Sequence, residues 1–100
     1  MELKPGLRLR SQVCTTELIV VRPAEVELTC GGVPVIGHGE EPGAGLSLDP
    51  ALSDGTQLGK RYTDDSGALE VLVTKRGDGT LADGDRPLPL KEAKPLPSSD

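Results

Sequence analysis

The segment Gly6–Val35 returns without a gap as Gly59–Leu88, at a constant offset of 53 positions. Seven positions are identical: Gly6/Gly59, Arg8/Arg61, Glu17/Glu70, Val20/Val73, Leu28/Leu81, Gly31/Gly84 and Pro34/Pro87. Leu18/Val71, Ile19/Leu72, Arg22/Lys75 and Val35/Leu88 match conservatively. Composition alone gives roughly two identities in such a window, and the best of many offsets about five. The pattern indicates an internal duplication, so whatever the first half forms, the second is expected to form again. The matched positions outline a strand (Glu17–Val21, Glu70–Thr74) and a later Gly-x-x-Pro that ends one.

With 100 residues and 35% apolar content, the chain can build one compact domain, or two very small ones that share a core. It has no Phe or Trp and a single Tyr62, so that core rests on fifteen Leu, eight Val and two Ile. A core this thin is expected to draw support from a bridge, a metal or a partner subunit. The net charge of −5 and the lack of aromatics argue against a nucleic-acid or anionic-membrane surface. No apolar leader follows Met1 and no run is long enough to span a bilayer, which makes a soluble cytoplasmic protein the expectation.

Leu7-Arg8-Leu9-Arg10 alternates and Val13 keeps the period, predicting a strand over Leu7–Val13 with one face inward. Glu17–Val21 is a continuous β-rich run, predicting a strand covered on both faces. Val26, Leu28 and Cys30 alternate with Glu25, Glu27 and Thr29 and end at Gly31-Gly32, where glycines permit positive φ. In the second half Leu69–Thr74, the hairpin turn Gly77-Asp78-Gly79 and Thr80–Ala82 follow the same order, and Arg86–Leu90 is an extended edge. The expected architecture is all-β: two tandem antiparallel meanders packed as a pseudo-two-fold pair, with no substantial helix. Residues 1–38 form the first repeat, 39–54 a Gly/Pro/acidic linker tacked down by Leu46, Leu48 and Leu52, 55–90 the second repeat, and 91–100 a flexible Pro-rich tail.

Both cysteines lie in the first repeat. Ser11-x-x-Cys14 followed by Leu28-x-Cys30-Gly31-Gly32 resembles the desulforedoxin-like fold, whose rubredoxin-type knuckles read Cys-x-x-Cys, a hairpin, then Leu-x-Cys-Cys-Gly. The resemblance implies that Cys14 and Cys30 keep the second and third ligand positions, with Ser11 and Gly31 at the first and fourth. The second repeat is similar through Gly59-x-x-Tyr62 and Gly79-Thr80-Leu81, with Asp64, Gly67, Asp83 and Gly84 at the four positions. It also implies two small β units paired about a two-fold axis. Because an iron–tetrathiolate centre needs four thiolates and this chain has two, electron transfer is not carried over.

Three readings of the cysteines stay open. Cys14 and Cys30, with His38 and less readily Glu17, or with cysteines of a second chain, are candidate ligands for zinc or iron. They are also candidates for a disulfide closing a fifteen-residue loop, worth roughly 3 kcal/mol, or for two reduced thiols packed in the core, and these two readings together outweigh the metal. Redox catalysis lacks support: there is no Cys-x-x-Cys and no evident fixed positive charge beside either thiol. Gly37-His38-Gly39-Glu40-Glu41 reads as a solvated turn, and Asp78, Asp83 and Asp85 lack calcium-loop spacing. No catalytic set is evident. The expected function is that of a non-enzymatic accessory subunit or protein-binding module of a larger cytoplasmic enzyme system, with another subunit as partner or as a homodimer. The alternative is a small metalloprotein using Cys14 and Cys30 for redox sensing, storage or metal delivery.

Overall fold

The structure, a computed structural model, describes residues 2–91; the tail expected over 91–100 lies outside them except for Lys91. The strands are β1 (Arg8–Arg10), β2 (Glu17–Arg22), β3 (Leu28–Cys30), β4 (Val33–Pro34), β5 (Ile36–Gly37), β6 (Arg61–Thr63), β7 (Glu70–Lys75), β8 (Leu81–Asp83) and β9 (Arg86–Pro87). A single 3-10 turn, Pro50–Leu52, lies between β5 and β6. The protein is all-β: a five-stranded antiparallel sheet, β5-β1-β2-β7-β6, and a four-stranded one, β4-β3-β8-β9.

Four strands of each half recur at the offset seen in the sequence: β1 and β6 begin at 8 and 61, β2 and β7 at 17 and 70, β3 and β8 at 28 and 81, β4 and β9 at 33 and 86. Each sheet is centred on a pair of such counterparts. In the first, Leu18 faces Val73, Ile19 faces Leu72 and Val20 faces Val71. In the second, Leu28 faces Asp83, Thr29 faces Ala82 and Cys30 faces Leu81. Both registers are unchanged when the halves are exchanged, so one pseudo-two-fold axis passes between Ile19 and Leu72 and between Thr29 and Ala82. Two of the identical residue pairs have a local cause: Gly6 and Gly59 (φ 81 and 77) and Gly31 and Gly84 (φ 65 and 62) hold a left-handed backbone that residues with a Cβ rarely adopt.

The meanders expected for each half are divided between the sheets: β1 and β2 lie in one and β3 and β4 in the other, and β2 and β3 each pair on their second edge with their counterparts β7 and β8. One core results, containing Leu9, Leu18, Val20, Leu28, Cys30 and Val35 from the first half and Tyr62, Leu69, Val71, Val73, Leu81 and Leu88 from the second. Each half supplies six of these side chains, so the two halves share a single core.

Three local expectations change. β2 is covered on one face: Leu18 and Val20 are buried, whereas Val21 is 40% exposed, because among the described residues no second layer lies over the outer face of the larger sheet. The first strand stops at Arg10, before Val13, where the Ser11 side chain turns the chain. Gly77-Asp78-Gly79 is no hairpin turn, since β7 and β8 belong to different sheets; it is a crossover from one layer to the other. The linker is anchored through Asp49 N–H to Gly31 O at 2.9 Å and Thr80 N–H to Leu52 O at 2.8 Å. Leu52 is buried and Leu46 exposed.

Candidate functional site

The β1–β2 loop carries the first cysteine and is built around Ser11. Its Oγ accepts from the N–H of Val13 at 3.1 Å and of Cys14 at 3.2 Å, and its own N–H donates to Thr16 O at 2.9 Å. A hydroxyl that satisfies two successive amides makes a tight local turn. Ser11 and Thr16 are both buried, so the loop is fixed at its base while Cys14, between them, stays partly accessible. Cys30 ends β3 and is fully buried.

Cys14 Sγ and Cys30 Sγ lie 3.7 Å apart, both as free thiols. Thr16 Oγ1 is 3.3 Å from Cys14 Sγ, and Gly79 N–H donates to the same sulfur across 3.4 Å. Behind them, Thr16 Oγ1 meets Thr56 Oγ1 at 3.0 Å, and Thr56 Oγ1 accepts from Gly77 N–H at 3.0 Å. The crossover thus forms a roof over the sulfurs, and glycine is required there. A Cβ on Gly79 would lie 2.9 Å from Cys30 Sγ and 3.2 Å from Cys14 Sγ, and one on Gly77 would lie 3.0 Å from Cys14 Sγ and collide with Thr16.

These surroundings divide one proton unequally between the thiols. The side-chain hydrogen bond from Cys30, followed by those from the Ser11 and Thr16 hydroxyls, holds the Cys14 thiol down to about 4 against the opposing effect of burial. Cys30 is pushed up, first by acting as the donor to Cys14, then by burial and by the Cys14 charge. Of the pair, Cys14 is the more acidic thiol and Cys30 the less acidic. The sequence offered no sign of this, because the stabilising groups are hydroxyls, an amide and a second thiol in place of a cation.

The four-thiolate centre that the resemblance implies does not fit. Ser11 stands at the first ligand position, and Gly31, at the fourth, has no room for a side chain: its Cβ would collide with Leu48 Cδ1 and lie 2.9 Å from Val13 Cγ2. The linker therefore plugs that corner. In the second half Asp64 Oδ1 accepts from Leu69 N–H at 3.0 Å and Asp83 Oδ1 from Glu27 N–H at 3.0 Å, so these carboxylates serve the backbone.

His38, the third candidate ligand, is not brought to the cysteines. Its Nε2 lies 2.7 Å from Glu17 Oε1 on the outer side of the larger sheet, and among the described residues no three His, Cys, Asp or Glu side chains are grouped closely enough to hold a metal. Glu40 Oε1 accepts from Gly37 N–H at 3.1 Å, closing the turn that carries His38. Among the described residues no helix is long and apolar enough to cross a membrane. No family model, curated protein or solved structure matches the chain.

Proposed function

We propose that this chain is a non-enzymatic, redox-responsive accessory module: Cys14 and Cys30 cycle between dithiol and disulfide, and another protein reads the state by contact. The observation that carries this is the 3.7 Å separation of two free thiols, one on the β1–β2 loop and the other at the end of β3. A thiolate beside a protonated thiol is the reactive half of a disulfide couple already in place. The contact is supported by two of the exposed large hydrophobics. Leu58 is 62% exposed and shares with Thr15, Lys75 and Arg76 a groove of about 600 Å³ beside the Cys14 loop. Leu46 is 43% exposed and packs near Gly43, whose N–H donates to Gln12 Oε1 of that loop at 2.9 Å.

The test is equilibration of the full chain in thiol/disulfide buffers of graded potential, read by intact mass. A reversible loss of about 2 Da that depends on both cysteines is expected. A chain that forms no Cys14–Cys30 disulfide in these buffers or with hydrogen peroxide, or one that oxidises irreversibly, overturns the proposal.

One observation favours a second reading, a zinc chelate. Two thiolates bound to zinc at about 2.3 Å in a tetrahedron stand about 3.7 Å apart, the separation found here. Cys14 and Cys30 would supply two ligands, and a partner or a second copy the others. Native mass spectrometry of anaerobically purified protein checks this, since a chelate of this kind loses its zinc in the Cys14→Ser variant.

A further inference from the structure

Cys14 and Cys30 are unequal in access. Cys14 sits on a loop and is partly accessible, whereas Cys30 is fully buried at the end of a core strand. An oxidant arriving from solvent meets Cys14 first. The roof limits what that oxidant can be. Gly77 and Gly79 pass so close to the sulfurs that even a methyl group in place of their hydrogens would fall within 2.9–3.2 Å of one sulfur or the other. A bulky disulfide must bring a sulfur and its substituents in line with Cys14 Sγ, while a hydroperoxide needs room only for its terminal oxygen.

We infer that the oxidant is a small hydroperoxide, with Cys14 as the attacking sulfur and Cys30 as the resolving one, an inference that rests on the dithiol–disulfide cycle proposed above. The Cys14 thiolate attacks the terminal oxygen of the hydroperoxide. A sulfur–oxygen bond forms as the oxygen–oxygen bond breaks, and the departing oxyanion takes a proton and leaves as the alcohol, or as water from hydrogen peroxide. Cys14 is then a sulfenic acid. Cys30 loses its proton as its sulfur attacks Cys14 Sγ, the disulfide bond forms, and the sulfenic hydroxyl leaves with that proton as water. In sum, two thiols and one hydroperoxide give one disulfide, one alcohol and one water, with the two electrons coming from the sulfurs. The sulfurs need to approach by roughly 1.6 Å, from 3.7 Å to a bonded 2.05 Å. Gly79 N–H, now bonded to Cys14 Sγ, faces a sulfur that no longer carries charge, so oxidation also loosens the roof.

The experiment compares hydrogen peroxide with oxidised glutathione on the reduced full chain, at equal concentration, by time-resolved intact mass and peptide mapping. Peroxide is expected to form the disulfide at least about tenfold faster. The Cys30→Ser variant should stop at an adduct of about 16 Da on Cys14 that a dimedone probe captures. In the unaltered chain, brief peroxide exposure with dimedone present should label Cys14 and leave Cys30 unlabelled, which keeps the test independent of the variant's folding. Dimedone label on Cys30, or faster oxidation by glutathione disulfide, overturns the inference while the dithiol–disulfide cycle stands. No disulfide from either reagent overturns both.

Discussion

His38 stands in the first half where Lys91 stands in the second, 53 positions on: His38 N–H donates to Arg8 O at 3.0 Å and Lys91 N–H to Arg61 O at 2.7 Å. Their side chains reach equivalent carboxylates, His38 Nε2 to Glu17 at 2.7 Å and Lys91 Nζ to Glu70 at 2.6 Å. The histidine that invites a metal reading is thus the counterpart of an ordinary ion-pairing lysine. His38→Lys should fold with a stability within about 1 kcal/mol of the parent, as for exposed ion pairs, and leave the reactivity of both thiols unchanged. Denaturant melts and thiol titration check this; altered thiol reactivity in His38→Lys would contradict the assignment.

The two carboxylates differ in burial. The Glu70 side chain is 5% exposed and meets Lys91 at 2.6 Å and Arg61 at 3.0 Å, whereas that of Glu17 is 27% exposed. Glu70→Gln should therefore cost about 1–3 kcal/mol, and Glu17→Gln less. The hydrogen bond from Lys91 holds the Glu70 carboxyl below its ordinary value, with Lys91 and Arg61 charges adding to the effect. A depressed carboxyl contributes stability that is present above its unfolded value, near 4.5, and is lost as pH falls through the lower folded value. Unfolding measured below pH 4.5 should show a steeper acid loss for the parent than for Glu70→Gln.

Because Cys14 titrates at about 4, its rate of alkylation should change little between neutral pH and pH 5. Below that, the rate should fall with the thiolate fraction, approaching tenfold per pH unit. A rate that instead climbs up to the ordinary thiol range near 9 would show that Cys30, Ser11 and Thr16 do not stabilise the anion. The Thr16→Val variant should move the inflection upward, since it removes one of those hydroxyls.

Gly79→Ala places a methyl group 2.9 Å from Cys30 Sγ and from Gly31 N, and 3.2 Å from Cys14 Sγ. Neither backbone nor core strand can yield freely, so a loss of about 1–3 kcal/mol is expected. Disulfide formation should slow as well, because the methyl lies where the sulfurs must close. Gly39→Ala, with nothing within 4 Å of the added carbon, is the matched control and should be neutral. Thermal unfolding of the two variants, alongside their oxidation rates, separates these outcomes.

The central pairs β2–β7 and β3–β8 join the halves, so residues 55–100 alone lack β2 and β3 and keep only the two-stranded pairs β6–β7 and β8–β9. That fragment should show no cooperative unfolding transition, and mixing it with residues 1–54 should restore one. Cooperative unfolding of the isolated fragment would mean that its own strands suffice.

The repeat made the strand positions legible. Apolar spacing, two glycines with left-handed backbone and the terminal Gly-x-x-Pro are local features, and the same local chemistry 53 residues apart yields the same strands. It could not show which strands would pair. A β-rich run such as Glu17–Val21 satisfies its backbone equally well against any antiparallel neighbour, and the choice of β7 follows from burying Leu18 and Val20 against the apolar side chains of the other half.

The sequence by itself determined an all-β chain made of two like halves, with its thiols confined to the first and too few of them for an iron–tetrathiolate centre. Tertiary structure alone decided what surrounds those thiols. It brings Gly79 to Cys14 from 65 residues away, fills the corner at Gly31 with Leu48 and carries His38 to Glu17. The physical reason is one of range. Strand propensity and turn chemistry act between neighbours along the chain and place the Ser11 and Thr16 hydroxyls beside Cys14, whereas the largest influence on its ionisation comes from Cys30, which ends a strand of the other layer and meets it only when the two layers close.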